Sequence, residues 1–137
     1  MIVIDASAMI EFLLDQPLGA SILQRLETQP VEAIAAPHLL NAEVGQTLRR
    51  YERRGELDEQ EARAALITLA DLPLTYYPHA PLLARTFDLR ANVTVYDGLY
   101  LALAETLNVL FVTADTRLAH IPGCRAVVEV LQPETDY

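Results

Sequence analysis

Four of the 19 acidic residues in this sequence fall where a charge is expensive or where a strand would deliver it to a cleft. Asp5 closes the apolar run Met1 to Ile4, and Asp115 comes shortly after the apolar run Val109 to Val112. Asp97 lies in the first turn of Val95-Tyr96-Asp97-Gly98-Leu99-Tyr100-Leu101-Ala102-Leu103-Ala104-Glu105, a stretch so apolar that as a helix it is buried on nearly every side. Glu43 stands three residues after Leu40 and four before Thr47, which places it on the apolar stripe of its own helix, paired by an arginine or part of a polar cleft. Neighbouring carboxylates repel and raise one another's pKa unless a cation neutralises them. All-oxygen ligands favour a hard ion, Mg²⁺ or Mn²⁺, over zinc. Such an ion orients a phosphate and polarises its oxygens, so the expected chemistry is phosphodiester hydrolysis.

Ser7, two residues past Asp5, and Thr113, two before Asp115, are the hydroxyls best placed to support this cluster from behind. Each acid also has a purely structural reading. Asp5 and Asp115 can cap the helices that follow them, and Asp97 can be the third residue of a box begun by Thr94. His38, His79 and His120 are scattered without ligand spacing, and Cys124 is a lone thiol that reads as a small filler.

The elements that must position these residues alternate in type. Met1 to Asp5 reads as a strand feeding a helix from Ser7 to Leu14, and Leu18, Ile22, Leu23 and Leu26 describe a second short helix. Val31 to Ala36 is the next strand, followed by a long helix from His38 that stops at Gly55. Asp58 caps a further helix through Leu69, with Glu61 three residues on. Then come a strand at Leu74 to Tyr77, a helix at Ala80 to Arg90, the buried helix to Leu107 and a strand at Val109 to Val112. A short helix from Arg117 to His120 and a strand at Ala126 to Val130 complete the pattern. Strands that are apolar throughout, alternating with helices, imply a parallel sheet covered on both faces, with its site beyond the carboxyl ends of the strands.

With 137 residues and 52% hydrophobic composition, the chain is expected to form one domain, residues 1–137, with a substantial core. No apolar run reaches the roughly 18 residues that cross a bilayer, and Met1 to Asp5 lacks the basic start of a signal peptide. A cytoplasmic protein with no membrane partner is the expectation. The net charge of −9 argues against broad adhesion to polyanions, so any nucleic-acid contact must be local. All ten basic residues are arginine; Arg49, Arg50, Arg53 and Arg54, with Tyr51, form either a local RNA patch or a solvated helix end that complements the dipole.

Met1 to Ala8, Asn41-Ala42-Glu43-Val44, Tyr96 to Glu105 and Thr113-Ala114-Asp115-Thr116-Arg117-Leu118 resemble, in order and spacing, the motifs of PIN-domain ribonucleases, in particular VapC-type toxins of bacterial toxin-antitoxin pairs. The resemblance implies a three-layer α/β/α sandwich around a mainly parallel sheet of four to five strands, and an Mg²⁺- or Mn²⁺-dependent endoribonuclease that leaves a 3′-hydroxyl and a 5′-phosphate. It implies Asp5, Asp97 and Asp115 as metal ligands and Glu43 as the acid that completes the pocket and helps deprotonate the water. A small antitoxin that places a basic side chain in the pocket and a homodimer are the implied partners, beside the RNA substrate. Ala6 stands where many relatives carry Thr, Gly98 where Ala is frequent, and Arg117 where some carry another acid. Two other classes compete. One is a catalytically weak binding module whose acidic pocket docks a basic segment. The other is a phosphotransfer or dehalogenase-like enzyme with Asp5 as nucleophile, which Ser7 disfavours because such enzymes place a second acid there.

Overall fold

The structure, a computed structural model, describes residues 1–28 and 34–133. Its strands and helices run β1 (Ile2–Ile4), α1 (Ala6–Leu13), α2 (Ala20–Thr28), β2 (Ile34–Pro37), α3 (Leu39–Arg53), α4 (Glu59–Asp71), β3 (Leu74–Tyr77), α5 (Leu83–Asp88), α6 (Val95–Leu107), β4 (Leu110–Thr113) and β5 (Val128–Val130). The expected second strand is described from Ile34; its first residues, 31–33, lie outside the described residues. The strands join in the order β3-β2-β1-β4-β5, every pair parallel. β1 and β2 are buried along their whole length, whereas the edge strands β3 and β5 are only partly covered, as a parallel sheet with both faces packed requires.

Helix ends follow local chemistry. Gly55, at φ +74°, terminates α3 while Gly55 N–H and Glu56 N–H donate back to Glu52 O and Tyr51 O. Asp58 caps α4 by accepting from Glu61 N–H at 2.8 Å. Two expected helices are shorter than their pattern. Ala80 to Arg90 divides into a 3₁₀ turn, Ala80–Leu82, and α5, whose end tightens through the i−3 bonds Leu89 N–H to Thr86 O and Arg90 N–H to Phe87 O. Arg117 to His120 is reduced to one 3₁₀ turn, Thr116–Leu118, because Ile121 precedes Pro122 and is biased away from helix.

Moving from β1 to β2 to β3 and then back across to β4 with right-handed crossovers puts α1 to α4 on one face and α5 with α6 on the other. α6 packs on β1, β2 and β4, while α1 meets β4 and α3 meets β2. The core lies between these layers, from Val3, Ile4 and Phe111 of the sheet to Met9, Val44, Leu101 and Leu103 of the helices, all at most 1% exposed. The strand order reverses between β1 and β4. That is the switch point of an open sheet, where the crossovers diverge and leave a crevice beyond the strand ends.

Candidate functional site: a carboxylate cleft at the switch point

Parallel pairing of Ile4 with Val112 makes Asp5 and Thr113 the next neighbours along β1 and β4. Thr113, fully buried, donates its hydroxyl to Asp5 Oδ2 at 2.5 Å, and Ser7 donates to Oδ1 at 2.6 Å. Ala8 N–H, in the first turn of α1, adds a third bond to Oδ1 at 3.0 Å. Both hydroxyls also accept: Ala114 N–H donates to Ser7 Oγ and Asp115 N–H to Thr113 Oγ1, each at 3.0 Å. Their protons are thereby directed onto Asp5, so the 3.2 Å approach of the two hydroxyl oxygens is a consequence of the shared acceptor. Asp5 thus caps α1 and also lines the cleft. Burial nevertheless holds its carboxyl above the usual range, against these three hydrogen bonds and with the charge of Asp97 adding to the rise.

Glu43 departs from its expected place. The buried stripe of α3 is Leu40, Val44 and Leu48; Glu43 sits beside it, half-buried, on the face shared by Leu39, Gln46, Thr47 and Arg50. Of the two alternatives, the polar cleft holds. Its partner is a tyrosine: Tyr100 donates its hydroxyl to Glu43 Oε1 at 2.6 Å. Tyr100 is 1% exposed and stacks on Phe111, so the hydroxyl is delivered from the core by a fixed ring. Burial raises the Glu43 pKa, the tyrosine bond lowers it, and Asp97 and Asp5 push it up further. Tyr100 escaped the sequence reading because it sits inside an apolar run and is separated from Glu43 by 57 residues; a lone hydroxyl in such a run was the available signal.

Asp97 enters from the first turn of α6, whose cap is Thr94 accepting from Asp97 N–H at 3.2 Å. Burial raises its carboxyl and the charge of Asp115 raises it further, while Arg117 and Thr94 act in the opposite direction. Asp115 differs from the other three. Arg117 grips both of its oxygens, with Nη2 to Oδ2 at 2.7 Å and Nε to Oδ1 at 3.0 Å, and holds its pKa down.

These residues line one cleft of about 680 Å³. Its floor is Asp5, Ser7 and Ile10, one wall is α3, and the other carries Tyr96, Asp97, Tyr100, Asp115 and Arg117. Thr113 lies just behind the floor. Of the four arginines at the end of α3, Arg50 lines the cleft with Tyr51, whereas Arg49, Arg53 and Arg54 are exposed outside it. The histidines are elsewhere: His38 stacks on Tyr76, and His79 Nε2 accepts from Leu39 N–H to cap α3.

No three of the described His, Cys, Asp and Glu side chains converge closely enough to enclose an ion by themselves. The donor chemistry still fits a hard divalent cation that keeps its waters and takes one or two carboxylates, because Asp5, Glu43 and Asp97 line one cleft, burial raises all three carboxyls, and the charge of Asp97 adds to the rise of the other two. Residues 2–123 match the model of the PIN domain. The chain belongs to the PIN-domain family.

This PIN domain is 43% identical over 131 residues to Ribonuclease VapC1 of Mycobacterium tuberculosis, covering 95% of this chain and 97% of that protein. It is 40% identical to Ribonuclease VapC9 of the same species, covering 96% of this chain and 98% of that protein. Among solved structures, VapBC2 from Rickettsia felis, bound to a DNA fragment from its promoter, superposes with a TM-score of 0.73 at 17% identity, over 96% of this chain and all of that one. The PIN-type sandwich expected from the motifs is the architecture found. Among the described residues, no helix of this PIN domain is long and apolar enough to cross a membrane.

Proposed function

We propose that this PIN domain is a metal-dependent endoribonuclease, the toxin of a VapBC-type toxin-antitoxin pair. The observation that carries this reading is the convergence of Asp5, Glu43 and Asp97 on one cleft, each with its pKa raised by burial and by the charge of a neighbouring carboxylate of the cleft. An unneutralised cluster of this kind is costly for a fold and useful to an ion. Asp5 and Asp97 are the principal ligands for Mg²⁺ or Mn²⁺, with Asp115 a further one. The ion, when bound, supplies Lewis-acid polarisation of the scissile phosphate.

The protein's own groups supply the rest. Ser7 and Thr113 fix both oxygens of Asp5, so the carboxylate presents its remaining lone pairs to the cleft in one orientation. Tyr100 holds Glu43 by Oε1 and leaves Oε2 to take a proton from the attacking water, a role suited to a carboxylate whose pKa lies above the ordinary range. By the resemblance to PIN-domain ribonucleases, the water attacks the phosphorus and the 3′ oxygen leaves, giving a 3′-hydroxyl and a 5′-phosphate. The test is cleavage of RNA by the purified protein with Mn²⁺ and with a chelator. Parental cleavage that disappears on chelation and in a folded Asp97→Asn variant is the expected result; equal cleavage by Asp97→Asn overturns the proposal.

A second reading is favoured by Arg117. Its bidentate hold on Asp115 is a model, within the chain, of how a basic side chain from an antitoxin docks in the acidic cleft. Docking of this kind and catalysis compete for the same carboxylates, so a small basic partner is expected to inhibit cleavage. A homodimer is the expected assembly, checked by sedimentation.

A further inference from the structure

We propose that the ring of Tyr96 is a stacking platform for an unpaired RNA base beside the scissile phosphate, with Arg50 and Arg117 holding neighbouring phosphates from two walls of the cleft. This rests on the ribonuclease reading and adds the residues that seat a base and its neighbouring phosphates in the cleft.

Two tyrosines of α6 line the cleft, and they are used differently. Tyr100 is spent on Glu43 and the core. Tyr96 is 61% exposed, and its neighbour in sequence is Asp97. A large ring left in water costs apolar exposure, and here it is anchored to a capped helix turn one residue from a proposed ligand. A tyrosine loses little conformational entropy on binding and presents a flat face that any base can cover.

Charge falls in a matching order. Arg50 is seven residues past Glu43 on the same face of α3, which is two helical turns or about 10 Å along the axis. Arg117 stands on the opposite wall with its side chain 83% exposed, so its ion pair with Asp115 is screened and is readily exchanged for a phosphate that offers the same bidentate geometry. Carboxylates at the centre with arginines on two walls suit a backbone that brings one phosphate to an ion and sets others against guanidinium groups. In a molecule of net charge −9 those local arginines are what offsets the repulsion of a polyanion. Bases stacked inside a duplex have no face free for Tyr96, so the subsite selects unpaired nucleotides.

Fluorescence anisotropy of a labelled single-stranded RNA, and of the same strand annealed to its complement, tests this with the full chain and Ca²⁺ as an oxygen-seeking ion. Tyr96→Ala is expected to weaken single-strand binding about tenfold, with Tyr96→Phe restoring it. The duplex is expected to bind the parental protein more weakly than the single strand. Arg50→Ala and Arg117→Ala are each expected to flatten the logarithmic salt dependence by about 0.7, and Tyr96→Ala to leave it unchanged. Parental affinity in Tyr96→Ala, or a duplex bound as tightly as the single strand, overturns the platform. If the parental protein still cleaves RNA with Mn²⁺ in that case, the ribonuclease reading stands; a parental protein that neither binds nor cleaves RNA overturns both.

Discussion

Asp5 accepts three hydrogen bonds, from Ser7, Thr113 and Ala8 N–H, and still its pKa lies above the ordinary value. Desolvation therefore outweighs the hydrogen bonds, and Ser7 and Thr113 act to orient the group more than to ease its burial. Thr113→Val keeps the shape of a fully buried side chain but removes one bond to Asp5 and one from Asp115 N–H. It is expected to lower kcat by about tenfold to a hundredfold and to cost about 1–2 kcal/mol, measured by RNA cleavage and by urea unfolding. Tyr100→Phe isolates the other contact. It is expected to reduce kcat about tenfold with little change in KM, since the phenol is bonded to Glu43; an unchanged kcat refutes its positioning role. Residue type and spacing singled out Asp5, Glu43, Asp97 and Asp115, which the fold brings to one cleft. Tyr100 was hidden because a hydroxyl at the end of a core ring leaves no trace in an apolar pattern, and the clamp of Arg117 was hidden because a pattern of positions does not say where a long side chain folds back.

Among the elements, α6 sets the accuracy of the site, and two contacts hold it. At its start, a Cβ on Gly98 would lie 2.9 Å from Thr86 Cγ2 of α5, well inside ordinary carbon–carbon packing. The absence of a side chain at Gly98 is what lets α5 approach the turn that carries Asp97. Gly98→Ala gains up to about 1 kcal/mol of helix propensity and meets an overpacking cost of about 1–3 kcal/mol, so a net loss of stability and of cleavage is expected. Adding Thr86→Ser, which removes the opposing methyl, is expected to restore both. At the other end, Arg85 donates to both oxygens of Glu105, whose side chain is 3% exposed, and bridges to Gly123 O. This pair lowers the Glu105 pKa below its usual value near 4.5. Its contribution is present above pH 4.5 and is lost as pH falls through the lowered native value; Glu105→Gln is expected to remove that part of the acid transition in thermal unfolding followed from pH 6 to pH 3. Element types and order followed from periodicity, but the phase of α3 did not. Glu43 lies within one turn of both Leu40 and Thr47, and only the crossing of α3 over β2 decides that Leu40 faces the core and Glu43 the cleft.

At the scale of the whole molecule, topology explains why so few residues matter. The order β3-β2-β1-β4-β5 brings the ends of β1 and β4 side by side, and α3 and α6 then add walls from opposite layers. Four acids separated by as many as 110 positions in the chain become neighbours through this one reversal. The parallel order was inferred from apolar strands alternating with helices, while the identity of the cleft-lining arginine depended on how far α3 extends beside α1. The central claim is that the shared carboxylates bind the divalent ion used in cleavage. Titration of the parental protein, Asp97→Asn and Arg50→Ala with Mn²⁺, read by electron paramagnetic resonance of the free ion, addresses it without RNA. Saturable binding by the parental protein and by Arg50→Ala, with affinity reduced at least tenfold in Asp97→Asn, is expected; equal binding by the parental protein and Asp97→Asn contradicts the claim.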